Sequence, residues 1–155
     1  MYQKILVPLD GSEMAECVLP HVEAIARGCN AESVQFVRTA DPVPSPTGGE
    51  ELAFGADTWK QIEAENRATA SKYLEQLVAR IKYDGVNLRS EVLRGRPADS
   101  IADYADKNGV DLIIIATHGR SGVSRWVLGS VADRVLRAAC VPVMMVRSPG
   151  CAPGI

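Results

Sequence analysis

The sequence predicts a single α/β domain built on a parallel, doubly wound sheet of five strands. Three observations predict it. Strand-sized apolar runs alternate with helical patterns along all 155 residues, the signature of a sheet joined by right-handed crossovers. The hydrophobic share is 46% but aromatic residues supply only 5%, so the core is aliphatic, as where parallel strands are covered on both faces. No internal repeat divides the chain, and its length suits one domain. The domain is expected over residues 1–147, with 148–155 as a flexible tail.

Lys4 to Pro8 reads as a first, buried strand. Asp10-Gly11-Ser12 follows, with Ser12 placed to cap a helix carrying Val18, Leu19, Val22 and Ile25 on one face. Pro20 falls inside that pattern and should kink the helix or shift its start, and Gly28 should stop it. Ser33 to Val37 is a second strand. Residues 40–55 hold three prolines and three glycines and read as the one long loop, a candidate lid. Thr58-x-x-Gln61 then resembles a capping box opening a long helix with Trp59, Ile62, Tyr73, Leu74, Leu77, Val78 and Ile81 in a stripe, ending near Gly85. Asn87 to Leu93 alternates as a third strand. Pro97 suits a first helical turn, Ile101, Ala102 and Ala105 recur on one face, and Gly109 closes that helix. Asp111 to Ala116 is a fourth strand, and a helical run to Ala139 leads to a fifth, Val141 to Val146. Pro142 removes a ladder donor there, which predicts a sheet edge. An apolar edge invites a partner, so a homodimer is expected through Val141 to Val146.

Net charge is −2 and the pI about 5.7, which gives no electrostatic reason to expect nucleic acid or a membrane surface as partner. No apolar run approaches the roughly 18 residues that cross a bilayer, and the start runs straight into a strand, so a cytoplasmic location is expected. Cys17, Cys29, Cys140 and Cys151 lack metal-ligand spacing and read as small buried thiols.

In open α/β sheets ligands gather beyond the carboxyl ends of the strands where strand order reverses, so the loops after the first and fourth strands carry the functional signal. Ala116-Thr117-His118-Gly119-Arg120-Ser121-Gly122 sets glycines, hydroxyls and an arginine directly after an apolar strand. Further on, Gly129-Ser130 interrupts what would otherwise be continuous helix, at a cost of about 1 kcal/mol for the glycine. A second helix starting at Ser130, with Asp133 three residues on, would present its first amides, Val131 included, and the positive end of its dipole. With the bare backbone of Gly119, that makes a cradle for phosphates; the competing reading uses these glycines for tight helix–strand packing. A Walker loop is excluded, since no Gly-Lys occurs, and a dinucleotide fingerprint is disfavoured by the single Gly11 after the first strand.

Three separated motifs, Val7-Pro8-Leu9-Asp10-Gly11-Ser12, Gly95-x-Pro97, and Ala116-Thr-His-Gly119-x9-Gly129-Ser130 followed by Val-Ala-Asp-Arg-Val-Leu, resemble the universal stress protein family in the family's order, up to about Arg147. The resemblance implies a cytoplasmic, usually dimeric α/β protein, many of whose relatives bind ATP through G-x2-G-x9-G-[S/T]. Carried over, Gly119 and Gly129 are the second and third glycines and Ser130 the phosphate-binding hydroxyl, while Ala116 replaces the first glycine and adds a methyl. Pro8, Leu9 and Asp10 correspond to the part that meets adenine and ribose, and Thr39 to a position whose backbone reads adenine.

His118 would hydrogen-bond a phosphate or ribose, or pack beneath the loop. Asp10 would accept from the adenine amine or a ribose hydroxyl, or cap the adjacent helix. Arg120 would neutralise phosphate. The expected ligand is ATP, alone or with Mg2+. No general base and no carboxylate pair for a metal can be named, so catalysis beyond slow hydrolysis or self-phosphorylation is not expected. The alternative function is a nucleotide-free dimeric interaction module of the same fold.

Overall fold

The computed structural model describes the backbone of residues 1–40, 50–117 and 129–147, and the side chains of all of these except 50–56. The strands are β1 (Lys4–Pro8), β2 (Ser33–Thr39), β3 (Asn87–Leu93), β4 (Leu112–Ala116) and β5 (Val143–Val146). The helices are α1 (Leu19–Cys29), α2 (Glu50–Arg80), α3 (Pro97–Asn108) and α4 (Ser130–Ala138), with a 3-10 turn, Ala15–Val18, ahead of α1. All pairings are parallel and the sheet order is β3-β2-β1-β4-β5, so the expected five-stranded doubly wound sheet is the one observed.

Period-2 alternation sorts the strands into two cores. Ile5, Val7, Val34, Phe36 and Ile114 face α1 and α2, meeting Val22, Ala26, Leu74 and Leu77. Leu6, Val37, Ile113 and Ile115 face α3 and α4, meeting Ile101, Ala105 and Val135. Each aliphatic side chain buried this fully is worth about 1.5–3 kcal/mol, so a one-residue slip of β1 would exchange the whole set between faces and is forbidden by mass of contacts. At the amino end, the Asp111 carboxylate accepts from the backbone N–H groups of Gln3 (2.8 Å) and Lys4 (3.2 Å), fixing β1 against the start of β4.

The exceptions to the sequence reading have local causes. Pro20 shifts the helix start: the chain leaves Ser12 through a 3-10 turn and α1 opens at Leu19, where the proline's missing N–H costs nothing. Gly28 does not end α1. Asn30 does, taking the left-handed conformation (φ 50°), which asparagine tolerates. Thr58 does not open α2, which already runs at Glu50; the good helix formers around Gly55 outweigh one glycine, and that helix stops at Arg80, short of Gly85. Ile62 in its expected stripe is 38% exposed. The fifth strand begins at Val143 rather than Val141: Pro142 lies just before it, its carbonyl accepting from Ile113 N–H (3.0 Å), and β5 is at the sheet edge as expected. Cys17 and Cys29 are half-buried and Cys140 is exposed, so the expectation of buried thiols is corrected; their small size lets them sit in the partly open surface. Residues 41–49 of the expected loop, Cys151 and the tail lie outside the described residues.

Three tyrosines tie the helices down and carry a pH signature. Tyr83, 6% exposed, donates to the Leu19 carbonyl (3.2 Å); burial first, then the Glu23 charge, pushes its phenol up to about 12. Burial and the Glu91 carboxylate push Tyr104 up to about 12 as well. Burial and the Glu16 carboxylate, to which it donates (2.9 Å), hold Tyr73 higher still. Since the folded values lie above the unfolded value near 10, their stabilising contribution is full below pH 10 and is lost as pH climbs through 12. Alkaline unfolding should therefore begin above about pH 10 and coincide with the rise of tyrosinate absorbance; ionisation of all tyrosines at ordinary values in the folded protein would contradict this.

Candidate functional site

Strand order reverses between β1 and β4, and the crevice beyond their carboxyl ends is where the expected site falls. From the β1 side, Pro8 and Leu9 are buried, and the Leu9 N–H continues the ladder onto the Val37 carbonyl (2.8 Å). The chain then turns sharply. Asp10 Oδ1 accepts from both the Ser12 N–H (2.9 Å) and the Ser12 hydroxyl (2.6 Å), and the Ser12 oxygen in turn accepts from the Ala15 N–H (3.2 Å). One oxygen of Asp10 is thus built into the turn.

From the β4 side, Thr117 N–H donates to the Val146 carbonyl (2.8 Å), and the Thr117 carbonyl accepts from Gly129 N–H (2.7 Å). That second bond seats the start of α4 directly on the exit of β4. Gly129, not Ser130, is the N-cap residue (φ −51°, ψ 134°), and among the described residues no side chain caps the helix. Ser130 is its first residue and is exposed, and among the described residues its hydroxyl has no hydrogen-bond partner. The first intrahelical bond is Asp133 N–H to the Gly129 carbonyl (2.9 Å), so the amides of Ser130, Val131 and Ala132 precede the ladder and face outward from the helix end. Asp133 would repel an anion there, but its carboxylate is drawn down the helix by Arg137 (3.0 Å). The resulting end is polar, open and electropositive.

The universal stress protein family model matches residues 1–147, across every motif above. The chain belongs to that family. Among relatives, universal stress protein MJ0531 of Methanocaldococcus jannaschii is 32% identical over 96% of this chain and 84% of its own, and universal stress protein Sll1388 of Synechocystis is 33% identical over 94% and 98%. The solved structure of MJ0577 superposes with a TM-score of 0.80 at 28% identity, covering 97% of this chain and 99% of that one. Two solved structures share the fold at lower identity: an Arabidopsis family protein with AMP bound (TM-score 0.64, 17%, 96% of this chain and 93% of that one) and a universal stress protein in complex with cAMP (0.55, 21%, 95% and 98%).

In this universal stress protein the structure brings Pro8, Leu9, Asp10, Ala116, Gly129, Ser130 and Val131 to the two sides of the reversal point, and Thr39 to the end of the neighbouring β2. His118, Gly119 and Arg120 lie outside the described residues. Ala116, in the place of the family's first glycine, is 8% exposed and belongs to the core shared with α1 and α2, so its methyl is turned away from α4. Thr39 Oγ1 stands 3.4 Å from Ser100 Oγ, joining β2 to α3.

Sequence reading passed over Arg38, which is 7% exposed beside Thr39 at the crevice wall. Its Cζ lies 5.3 Å from the Tyr73 ring centroid. The available signal was an arginine two residues after Phe36, on the apolar face of a strand. Gly11 depends on the same feature. Its φ is +84°, and a Cβ placed on it would stand 2.5 Å from Arg38 Nη1. Gly11→Ala should therefore cost about 1–3 kcal/mol of stability, read by chemical denaturation; a loss below a few tenths would show that the turn relaxes freely.

Proposed function

We propose that this universal stress protein binds ATP at the reversal point, and that the bound nucleotide tunes its shape or choice of partner. The observation that carries the reading is the Gly129–Thr117 bond, which sets an uncapped helix amino end against the exit of β4. The fit of the residues supports it. Three outward amides and an exposed hydroxyl supply donors to phosphate without any basic cluster. Pro8 to Asp10 and Thr39 form the opposite wall, where adenine and ribose would lie. Since the Ala116 methyl is directed into the other core, the departure from the family's first glycine leaves the phosphate side unobstructed. Solved proteins of the same fold hold AMP or cAMP, which supports the reading. Mg2+ would arrive on the phosphates, and His118, Gly119 and Arg120 would complete their surroundings.

Calorimetric titration with ATP and with AMP measures the phosphate share. Ser130→Ala should remove a charge-assisted hydrogen bond of about 1.5–3 kcal/mol, roughly a tenfold to hundredfold loss of ATP affinity. A wild-type protein that binds no ATP would overturn the reading in favour of a nucleotide-free interaction module, and a folded Ser130→Ala that binds ATP undiminished would overturn the placing of phosphate at the start of α4.

The proposed second copy docks on the β5 edge, where Val143 and Met145 are half-buried at the unpaired side of the sheet. Val146 is 6% exposed within the core, so a charge there would test folding instead. Val143→Glu should give a monomer in sedimentation, because a carboxylate pressed into an apolar seam is costly; an intact dimer would refute the seam.

A further inference from the structure

We propose that Arg38 is a positioning residue of the nucleotide site, a planar platform that fixes the Asp10–Ser12 turn from beneath; this rests on the nucleotide reading above. The distances from the Cβ position of Gly11 are 2.5 Å to Nη1, 2.9 Å to Cζ and 3.3 Å to Nη2. Taken together with the planar geometry of the guanidinium, these three distances put that position above the plane and over Nη1, so Gly11 lies over its face. Backbone thus rests on the flat of the side chain. Tyr73, on α2, holds that side chain in cation–π contact.

The Tyr73 hydroxyl donates to Glu16, Glu16 pairs with Arg80, and Glu16 belongs to the 3-10 turn that follows Ser12. The turn is held at both ends: Ser12 caps Ala15 ahead of it, and the Arg38–Tyr73–Glu16 chain closes the circle behind.

The energetics favour a role in function over one in stability. Among the described residues the guanidinium makes no hydrogen bond or ion pair, although it carries five donors and the residue is only 7% exposed. Burying a cation so poorly paired is expensive, and an unbranched apolar side chain would fill the same space at less cost. What the apolar replacement lacks is a flat, rigid surface that a backbone can approach closely without hydrogen-bonding to it. The glycine above it, at positive φ, leads directly from Asp10, so a shift of the platform moves the carboxylate.

The experiment compares Arg38→Met and Arg38→Lys with wild type in melting temperature, in calorimetric affinity for ATP, and in hydrogen exchange of the Ser12 amide, whose acceptor is Asp10. Arg38→Met should melt at the wild-type temperature or higher, lose about tenfold in ATP affinity, the worth of one misplaced hydrogen bond, and exchange faster at Ser12. Arg38→Lys, which keeps the charge and loses the plane, should behave the same. The proposal is overturned if Arg38→Met binds ATP as wild type does with Ser12 equally protected, if it melts far lower or fails to fold, or if Arg38→Lys restores affinity, which would make the charge itself the active feature. If wild type binds no ATP, the nucleotide reading falls alone, and Ser12 exchange still decides whether Arg38 holds the turn.

Discussion

Everything at the carboxyl end of the sheet depends on β1 being paired on both sides. Its five residues carry the ladders to β2 and β4, and four of them are buried. Because the chain moves outward from β1 to β2 and β3, then returns to place β4 on its other side, the two loops that leave β1 and β4 diverge to opposite faces. That divergence opens a crevice without any strand having to end early. The Asp111 carboxylate, bonded to the backbone of Gln3 and Lys4, sets the relative heights of β1 and β4 from the far end. The positions of Asp10 and Gly129 therefore follow from a register fixed at the opposite end of the sheet.

The two walls of the crevice are built on different physics. On the β4 side, donors come from an absence: among the described residues no side chain caps α4, so its first amides and dipole remain available, and the acid of its first turn, Asp133, pairs along the helix with Arg137. On the β1 side they come from constraint. Asp10, Ser12 and Ala15 form a closed run of hydrogen bonds, and a buried guanidinium lies under the glycine between them. In the proposed reading the first wall would meet the phosphates and the second the adenine and ribose.

The parts legible in the sequence are those where one local rule acts alone. Asn87 to Leu93 alternates and becomes β3 at those limits, and Pro97 with Gly109 bracket α3 as its first residue and its left-handed C-cap. Where two rules competed, the boundary moved. Pro20 and Ser12 both claimed the start of the first helix, and the proline won because a 3-10 turn satisfies the serine as well. Thr58 has the chemistry of a cap, yet propensity over the preceding residues carried α2 through it. Of the candidate site, what was legible is the helix start at Gly129-Ser130, and α4 does begin at Ser130. It was illegible at Arg38, because a charge inside a strand pattern looks like a surface residue until the fold shows which face it occupies.

That face explains why Arg38 is tolerated at all. Phe36, two residues earlier, is wholly buried against α1 and α2, so Arg38 occupies the last position of the same stripe, where the core meets the crevice. A larger apolar residue would extend the core and close the space below Gly11. A smaller one would leave that space empty, and the turn above it would settle into the gap. Arginine is long enough to carry its methylenes along the stripe while its flat head, buried with the rest of the residue, lies beneath Gly11, and Tyr73 is the aromatic surface beside that head. The same length that makes it a poor strand residue thus lets one side chain finish the hydrophobic core and form the floor of the turn that carries Asp10. Packing and site geometry are set here by the same atoms, so the shape of the β1 wall is as fixed as the core beneath it.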